Sequence, residues 1–179
     1  MDKKQLKKIR KSIVRSKDLV TIYGQPKELS KAIVFHANCY AYALGIMELA
    51  CNHFYNPGFT EYSPIQTIFG RSTEVFLERI FIDLKNLKIK YRKIEIGESI
   101  KLAKNEYLIK VFYNVEKGID FHFIRQDPRT ELWFHKVAWN QQPCLVQNGV
   151  EIGIEPDEIT SINGDVKYSP ICYIAIREK

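Results

Sequence analysis

The sequence has no apolar run long enough to cross a membrane, and it has only four cysteines in 179 residues. A membrane-spanning helix needs about 20 consecutive apolar residues, and a secretory signal needs an apolar segment of about 7–15 residues. Cations interrupt the apolar positions at the start of the chain, so we expect neither a signal peptide nor a transmembrane segment. Four cysteines without a signal predict free thiols in a reducing cytoplasm, with export by a non-classical route left open.

Several signatures of cofactor and metal chemistry are also missing. The chain has no glycine-rich phosphate loop, no Ser-His-Asp elbow and no HExxH motif, so we predict no cofactor. His36, Cys39, Cys51 and His53 do resemble a zinc pattern. One continuous helix would hold the two cysteines about 18 Å apart, whereas zinc ligands lie about 2.3 Å from the metal. We therefore expect no metal site unless that helix breaks at Gly45.

Positive charge is concentrated at the N-terminus. The chain carries 27 basic and 21 acidic residues, for a net charge of +6. Residues 1–18 hold eight of the cations and two of the anions, so the remainder is neutral. A nucleic-acid groove needs cations on the folded body, and we therefore expect no nucleic-acid partner. Leu6, Ile9 and Ile13 recur at helical spacing and predict a basic amphipathic helix within residues 1–20. This helix either docks on the domain surface or contacts an acidic partner or an anionic membrane.

Residues 21–179 predict a single α+β domain. A helix is expected from Asn38 to Phe54, and a second helix is expected to begin after Ser72 and to end near Asn86. Helices followed by strands predict N-terminal helices packed on an antiparallel sheet. The segments rich in β-forming residues lie at 88–94, 107–113, 121–125, 132–137 and 171–177.

One cysteine and two histidines form the candidate catalytic set. Cys39 lies at the predicted start of a helix, where unpaired backbone N–H groups and the helix dipole lower a thiol's pKa. If the two strands after residue 120 pair symmetrically about their turn, His122 lies opposite His135 and Ile124 lies opposite Trp133. One neutral imidazole can then take the proton of an attacking thiol while the other hydrogen-bonds to it.

A cysteine at a helix N-terminus, followed by strands that present two histidines 13 positions apart, resembles the papain-like cysteine peptidases. The compact NlpC-type cell-wall endopeptidases are the most similar branch, and the resemblance covers roughly residues 36–137 in order and spacing. It implies a papain-like fold with Cys39 as nucleophile, His122 as general base and His135 as the residue that orients it. Asn-Cys-Tyr-Ala stands where that branch has Asp-Cys-Ser-Gly, so a peptidoglycan substrate is not implied.

The predicted function is a cysteine hydrolase that cleaves an amide bond, peptide or isopeptide, in a peptide or protein substrate. The backbone N–H of Cys39 is the first expected oxyanion donor, and Gln25 and Tyr23 are candidates for the second. Trp133 and Tyr62 are candidate substrate contacts, the latter on a long loop over residues 55–70.

Two alternatives stay open. The same triad in a toxin-type effector can catalyse deamidation or acyl transfer, since one scaffold permits several chemistries. A catalytically silent papain-like domain would instead bind a partner, with the basic N-terminal helix as its docking element. An enzyme should have one cysteine whose depressed pKa depends on His122, whereas a binding module should have four similar, inert thiols.

Overall fold

The computed structural model describes residues 1–48, 55–62, 71–114, 120–137, 140–148, 151–160 and 166–178. Within these ranges the chain forms five helices and a seven-stranded antiparallel sheet, which confirms the predicted α+β class. No helix among these residues combines the length and the apolar character needed to span a bilayer.

In the described ranges, every helix precedes the first strand. The helices are α1 (Lys3–Ser12), α2 (Ser16–Leu19), α3 (Lys31–His36), α4 (Cys39–Ala43) and α5 (Thr73–Asn86). The strands are β1 (Lys90–Ile94), β2 (Glu106–Tyr113), β3 (Phe121–Gln126), β4 (Trp133–His135), β5 (Cys144–Leu145), β6 (Gln147–Asn148), β7 (Glu151–Ile152), β8 (Ile159–Thr160) and β9 (Lys167–Arg177).

The main sheet has the strand order β1-β9-β2-β3-β4-β5, with β8 paired to β9 and with β6 and β7 forming a separate ribbon. The five segments predicted as strands correspond to β1, β2, β3, β4 and β9. The last strand, β9, lies between β1 and β2, so the centre of the sheet joins residues that are distant in sequence.

The central strands are buried on both faces. Because successive side chains of a strand point to opposite faces, β2 directs Ile109 and Val111 to one side and Leu108 and Phe112 to the other. Helices α1, α4 and α5 cover the first side, which we call the helix face. The other side, the loop face, is covered by side chains of short strands and irregular segments: Ile94, Ile100, Leu102, Val146, Ile159 and Val166.

Helix α1 docks on the helix face through its apolar stripe. Ile9 is fully buried in the core there, and Leu6 and Ile13 pack against the same cluster. The Arg10 guanidinium donates hydrogen bonds to the backbone carbonyl of Asn86 at the end of α5, with its Nε at 3.0 Å. The expected docking of the amphipathic helix on the domain is therefore observed.

The long helix predicted from Asn38 onward is wrong, because α4 ends at Ala43. Gly45 adopts a φ of +70°, and a Cβ atom at this position would lie 2.7 Å from the carbonyl oxygen of Val14. The N–H of Val14 donates to the carbonyl of Gly45 at 3.0 Å. The chain thus leaves the helix where a glycine passes against the N-terminal segment, and residues 49–54 lie outside the described ranges.

Asp83 is a buried carboxylate that joins three segments. Its Oδ2 accepts hydrogen bonds from the Tyr40 hydroxyl at 3.0 Å and the Gly58 N–H at 2.6 Å. Its Oδ1 accepts from the Thr60 N–H at 2.9 Å and from the Thr60 hydroxyl at 2.6 Å. Burial raises the pKa of Asp83 to about 6, although these donors act in the opposite direction. One side chain of α5 therefore holds both α4 and the segment 55–62.

We expect Asp83→Ala to lower the free energy of unfolding by about 3 kcal/mol, because it leaves four donors without their acceptor in the protein interior. Urea denaturation at neutral pH measures the loss. Asp157→Ala is the control, since this exposed aspartate should cost no more than about 0.5 kcal/mol. Equal small losses in the two variants would show that the carboxylate does not hold these segments together.

Candidate active site

Cys39 is the first residue of the five-residue helix α4. The Asn38 side chain caps this helix by accepting from the Ala41 N–H at 3.0 Å, and its amide donates to Asn56 Oδ1 at 3.1 Å. Cys39 is only 8% exposed and belongs to the core of the helix face. The structure thus places Cys39 at a helix start, as predicted, and brings the segment 55–62 beside it.

The electrostatic environment of Cys39 differs from the expectation. Burial raises the pKa of the Cys39 thiol to about 12, and the charge of Asp120 acts in the same direction. Backbone N–H groups of Phe123 and Tyr40 and the ammonium group of Lys136 oppose this increase without cancelling it. The predicted depression of the pKa is therefore wrong, because α4 offers one short turn of helix while the surrounding core removes the thiol from water.

The two histidines do come together, although in a different register. Ile124 lies opposite His135, and Gln126 lies opposite Trp133. This register is offset by two residues from the predicted symmetrical pairing, and an offset of two keeps every side chain on its expected face. His122 and His135 become diagonal neighbours, with 2.9 Å between His122 Nε2 and His135 Nδ1.

The turn between β3 and β4 explains the offset. The N–H of Asp127 donates to the carbonyl of Leu132 at 2.9 Å, and the N–H of Glu131 donates to the carbonyl of Asp127 at 2.8 Å. The Asp127 carboxylate also accepts from the Arg129 N–H at 3.0 Å. Asp127 therefore acts as a turn former, and the hairpin is centred between Arg129 and Thr130 rather than between Pro128 and Arg129.

Cys39 and His122 lie on opposite faces of the sheet. Phe123, whose backbone N–H points to the Cys39 thiol, packs with Cys39 in the helix-face core. His122 and Ile124 alternate with Phe123 and point to the loop face. There the His122 ring lies 6.4 Å from the ring of Tyr168. Within the described structure the sheet separates the thiol from the imidazole, so the predicted Cys39–His122 pair is wrong.

The histidine pair is also a weak base. Burial, together with the charge of His135, lowers the pKa of His122 to about 3. Burial alone lowers the pKa of His135 to about 4. Both rings are therefore neutral near pH 7, where one donates an N–H to the other. A general base works best with a pKa near the working pH, so this geometry suits a structural hydrogen bond better than proton transfer.

The two oxyanion candidates lie away from the thiol. Tyr23 is 84% exposed, and Gln25 accepts from the Thr21 N–H at 2.7 Å through its carbonyl. Gly24, between them, lies against the side chain of Leu132 in the β3–β4 turn. This turn begins at Asp127, which lies about 13 Å along β3 from Phe123, the residue beside the Cys39 thiol. Neither candidate reaches the thiol in this arrangement.

The two candidate substrate contacts have different outcomes. Trp133 is 3% exposed in the loop-face core, on the side of the sheet away from Cys39. Tyr62 packs its ring under the Arg79 guanidinium, 4.5 Å from the ring centre. It belongs to the segment 55–62, which contacts the start of α4 through Asn56. Tyr62 therefore stays a predicted contact.

Arg125 is a buried cation that the sequence reasoning missed. Its Nη1 donates to the carbonyls of Tyr42 and Ala43, at 3.4 and 3.3 Å, and its Nη2 donates to the Ser16 hydroxyl at 2.7 Å. The guanidinium also lies 4.1 Å from the ring centre of Tyr107. An arginine inside a strand of apolar residues is the signal that could have revealed this role, because such a charge is buried only when it is paired.

Lys136 is a second missed residue. It is fully buried, and it follows Phe134 by two positions, which places both side chains on the helix face. Burial lowers the pKa of Lys136 to about 8, and the charge of Cys39 acts in the opposite direction. Lys136, rather than His122, is therefore the basic side chain that interacts with Cys39. The alternation of side chains from Phe134 onward could have indicated that Lys136 lies on the helix face.

The argument against a zinc site assumed one continuous helix from Cys39 to Cys51. Since α4 ends at Ala43, the distance along such a helix no longer excludes the zinc-like pattern. Cys51 and His53 lie outside the described residues. Among the residues that are described, no group of three His, Cys, Asp or Glu side chains is arranged to hold a metal ion.

Comparison of the chain with protein-family models, curated proteins and solved structures finds no match.

We expect the histidine pair to make folding stability depend on pH. Because folding lowers both pKa values below the ordinary 6.5, the unfolded chain binds protons more readily than the folded chain. The contribution of the pair is therefore complete above pH 6.5 and is lost as the pH falls through about 4 for His135 and about 3 for His122. Urea denaturation of wild type and of His122→Leu/His135→Leu at a series of pH values isolates this contribution.

The double variant should lose less stability than wild type between these pH values. His36→Gln is the matched control, since this histidine lies on α3 outside the pair and its removal should keep the wild-type slope. An unchanged slope in the double variant would mean that the buried pair does not exclude protons.

Proposed function

We propose that this chain is a binding domain that attaches to an anionic membrane surface through the outward lysines of α1. The observation that carries the proposal is the orientation of this helix. Its apolar stripe packs in the core through Ile9. Its lysines are exposed to solvent: Lys3, Lys4, Lys7, Lys8 and Lys11. We call these five side chains the lysine surface.

Within the part of the chain that the structure describes, no acidic side chain pairs with the lysine surface. The cationic side chain of α1 that does turn inward is Arg10, which bonds to the end of α5. The surface is therefore available for anions supplied from outside.

The expected strength follows from the number of charges. Each lysine near an anionic leaflet contributes about 1 kcal/mol at physiological salt, so five supply about 5 kcal/mol. Insertion of α1 adds little, because its apolar residues already pack on the domain. The attachment is then electrostatic and reversible, and it weakens as salt screens the charges.

The composition of the surface favours lipid headgroups over other polyanions. Arginine forks suit bidentate recognition of phosphate, and aromatic rings suit stacked bases, but the five outward side chains are all lysine. Lysine is a strongly hydrated point charge that suits a diffuse anionic layer. The cytoplasmic location predicted from the sequence agrees with this partner, since that leaflet carries the anionic lipids.

We expect Lys4→Gln/Lys8→Gln to weaken binding to phosphatidylserine-containing vesicles by roughly 30-fold, because two contributions of about 1 kcal/mol are lost. Vesicle co-sedimentation at several salt concentrations measures the change. Lys101→Gln/Lys104→Gln removes the same charge from exposed positions away from α1, and it should leave binding nearly unchanged. Equal losses in both pairs, or equal binding to neutral vesicles, would overturn the proposal.

A second candidate is the predicted papain-like thiol hydrolase, with Cys39 attacking an amide carbonyl. What favours it is Lys136, a buried amine with a pKa lowered to about 8 that interacts electrostatically with Cys39. Neutral Lys136 would take the thiol proton and later return it to the leaving amine. Against this candidate, the pKa of Cys39 is raised to about 12, so the proton stays on sulfur at rest.

Cysteine alkylation separates the two candidates. For a binding domain we expect iodoacetamide to label Cys39 no faster than the half-buried Cys144 at neutral pH, because the thiolate is the reactive form. Mass spectrometry reads each cysteine across a pH series, for wild type and for His122→Gln. The labelling of Cys39 should be the same in both proteins, since the sheet lies between the two residues.

The opposite result would favour the hydrolase. Fast labelling of Cys39 below about pH 7, well under the ordinary thiol pKa of about 8.5, requires an activated thiol. Loss of that labelling in Lys136→Gln would assign the activation to the lysine, whereas its loss in His122→Gln would restore the predicted triad.

A further inference from the structure

Four charged side chains meet at one end of the loop face, where β1, β9 and β2 lie side by side. Lys90 of β1 lies directly opposite Arg177 of β9, and Arg177 lies directly opposite Glu106 of β2. Arg92 lies between Lys90 and Ile94 at intervals of two positions, so all three point to the loop face, where Ile94 belongs to the core. The register of three strands therefore brings these charges together.

The four side chains, together with Tyr91, line an open cleft of about 230 Å³ at the edge of the sheet. The described lining holds three cations and one carboxylate, which gives it a net charge of +2. Like charges directly opposite each other on neighbouring strands are destabilising, and Lys90 and Arg177 form such a pair. An anion bound in the cleft would relieve this repulsion.

Among the described residues that line the cleft, Glu106 is the one carboxylate, and Arg92 is its main partner. The Glu106 side chain is 7% exposed, and its Oε2 accepts from Arg92 Nη2 at 3.1 Å and Arg92 Nε at 3.3 Å. The same oxygen accepts from the Ala103 N–H at 3.1 Å. Arg177 Nη2 lies 3.8 Å from Glu106 Oε1, which is too long for a hydrogen bond. Glu106 therefore orients Arg92 and leaves the donors of Arg177 to another acceptor.

Two of the three cations have no hydrogen-bond acceptor within the described ranges. Neither the Lys90 ammonium nor the Arg177 guanidinium donates a hydrogen bond there, and Lys90 takes part in none of the ion pairs. The Arg177 side chain is 48% exposed, so a molecule in the cleft can reach its donors. A lysine on an edge strand also prevents strand pairing, but that role does not account for an arginine on the inner strand β9.

We infer that this cleft binds the phosphate group of a phosphomonoester, carried by a soluble molecule or by a lipid headgroup. Such a group has a charge of about −1.5 to −2 near pH 7, which matches the charge of the lining, whereas a carboxylate carries a single charge. The guanidinium fork of Arg177 suits two phosphate oxygens, and Lys90 adds a point charge beside it. Pockets for whole ligands measure about 300–1,000 Å³, so the cleft accommodates the phosphate and little of its carrier.

Titration of the isotope-labelled chain with inorganic phosphate at about pH 7.5, where phosphate is mostly doubly charged, tests the site. Sodium chloride keeps the ionic strength constant, and NMR follows the side-chain Nε–H signals of Arg92 and Arg177. Both signals should shift and should saturate at millimolar phosphate. Lys90→Gln and Arg177→Gln should each weaken binding about tenfold, because each removes a charge-assisted hydrogen bond. Lys31→Gln is the matched control, since this exposed lysine of α3 lies outside the cleft and its removal should leave the affinity unchanged.

Lys90→Gln guards against a loss that comes from misfolding, since it breaks no ion pair within the described residues. Circular dichroism of each variant checks that the sheet is retained. Shifts that grow with phosphate without saturating overturn the inference, because they report general screening. Equal affinity in wild type and Lys90→Gln overturns it too, since the phosphate would then bind elsewhere.

Two further ligands identify the carrier. Glycerophosphate is a soluble phosphomonoester, and vesicles that contain phosphatidic acid present the same group on a lipid. Tighter binding of glycerophosphate than of inorganic phosphate, reduced in Lys90→Gln, assigns a soluble carrier. Vesicle co-sedimentation that is reduced in Lys90→Gln but not in Lys31→Gln assigns a headgroup. Binding of both ligands that is unaffected by Lys90→Gln overturns the inference, whether or not the lysine surface of α1 attaches the chain to the vesicles.

Discussion

Alternation of side chains across a sheet that is buried on both faces is the constraint on which the rest of this structure depends. The buried apolar residues of β2, β3 and β9 belong either to the core under the helices or to the core under the loops. Moving one residue across would bring its neighbours to the wrong side as well. The position of Cys39 beside Phe123 and the position of His122 next to it in sequence are both consequences of this rule.

The short helix α4 is held by polar groups that the apolar cores enclose. Asp83 binds it through Tyr40, and Arg125 binds its last carbonyls at Tyr42 and Ala43. Five residues do not form a stable helix alone, so these contacts, with the surrounding core, maintain it. The same enclosure removes Cys39 from water and raises the pKa of its thiol. The burial that stabilises α4 therefore disfavours the reactive thiolate form of Cys39.

The exposed cations of α1 are arranged differently from the charged groups that the interior encloses. On α1 the apolar stripe is buried and the lysines point outward, which suits an anionic surface. The proposed membrane contact therefore lies on a helix exterior, whereas Cys39 and His122 are buried.

The sequence by itself determined the α+β class, the end of α5 near Asn86, the basic amphipathic helix and the approximate positions of five strands, because periodicity and capping are local properties. It also indicated that His122 and His135 share a face, since a register offset of two preserves faces. Only the tertiary structure decided that Cys39 lies on the other face, because which side of a sheet a helix covers is not encoded in local periodicity. The break at Gly45 was likewise decided by its close approach to Val14, a contact between distant segments.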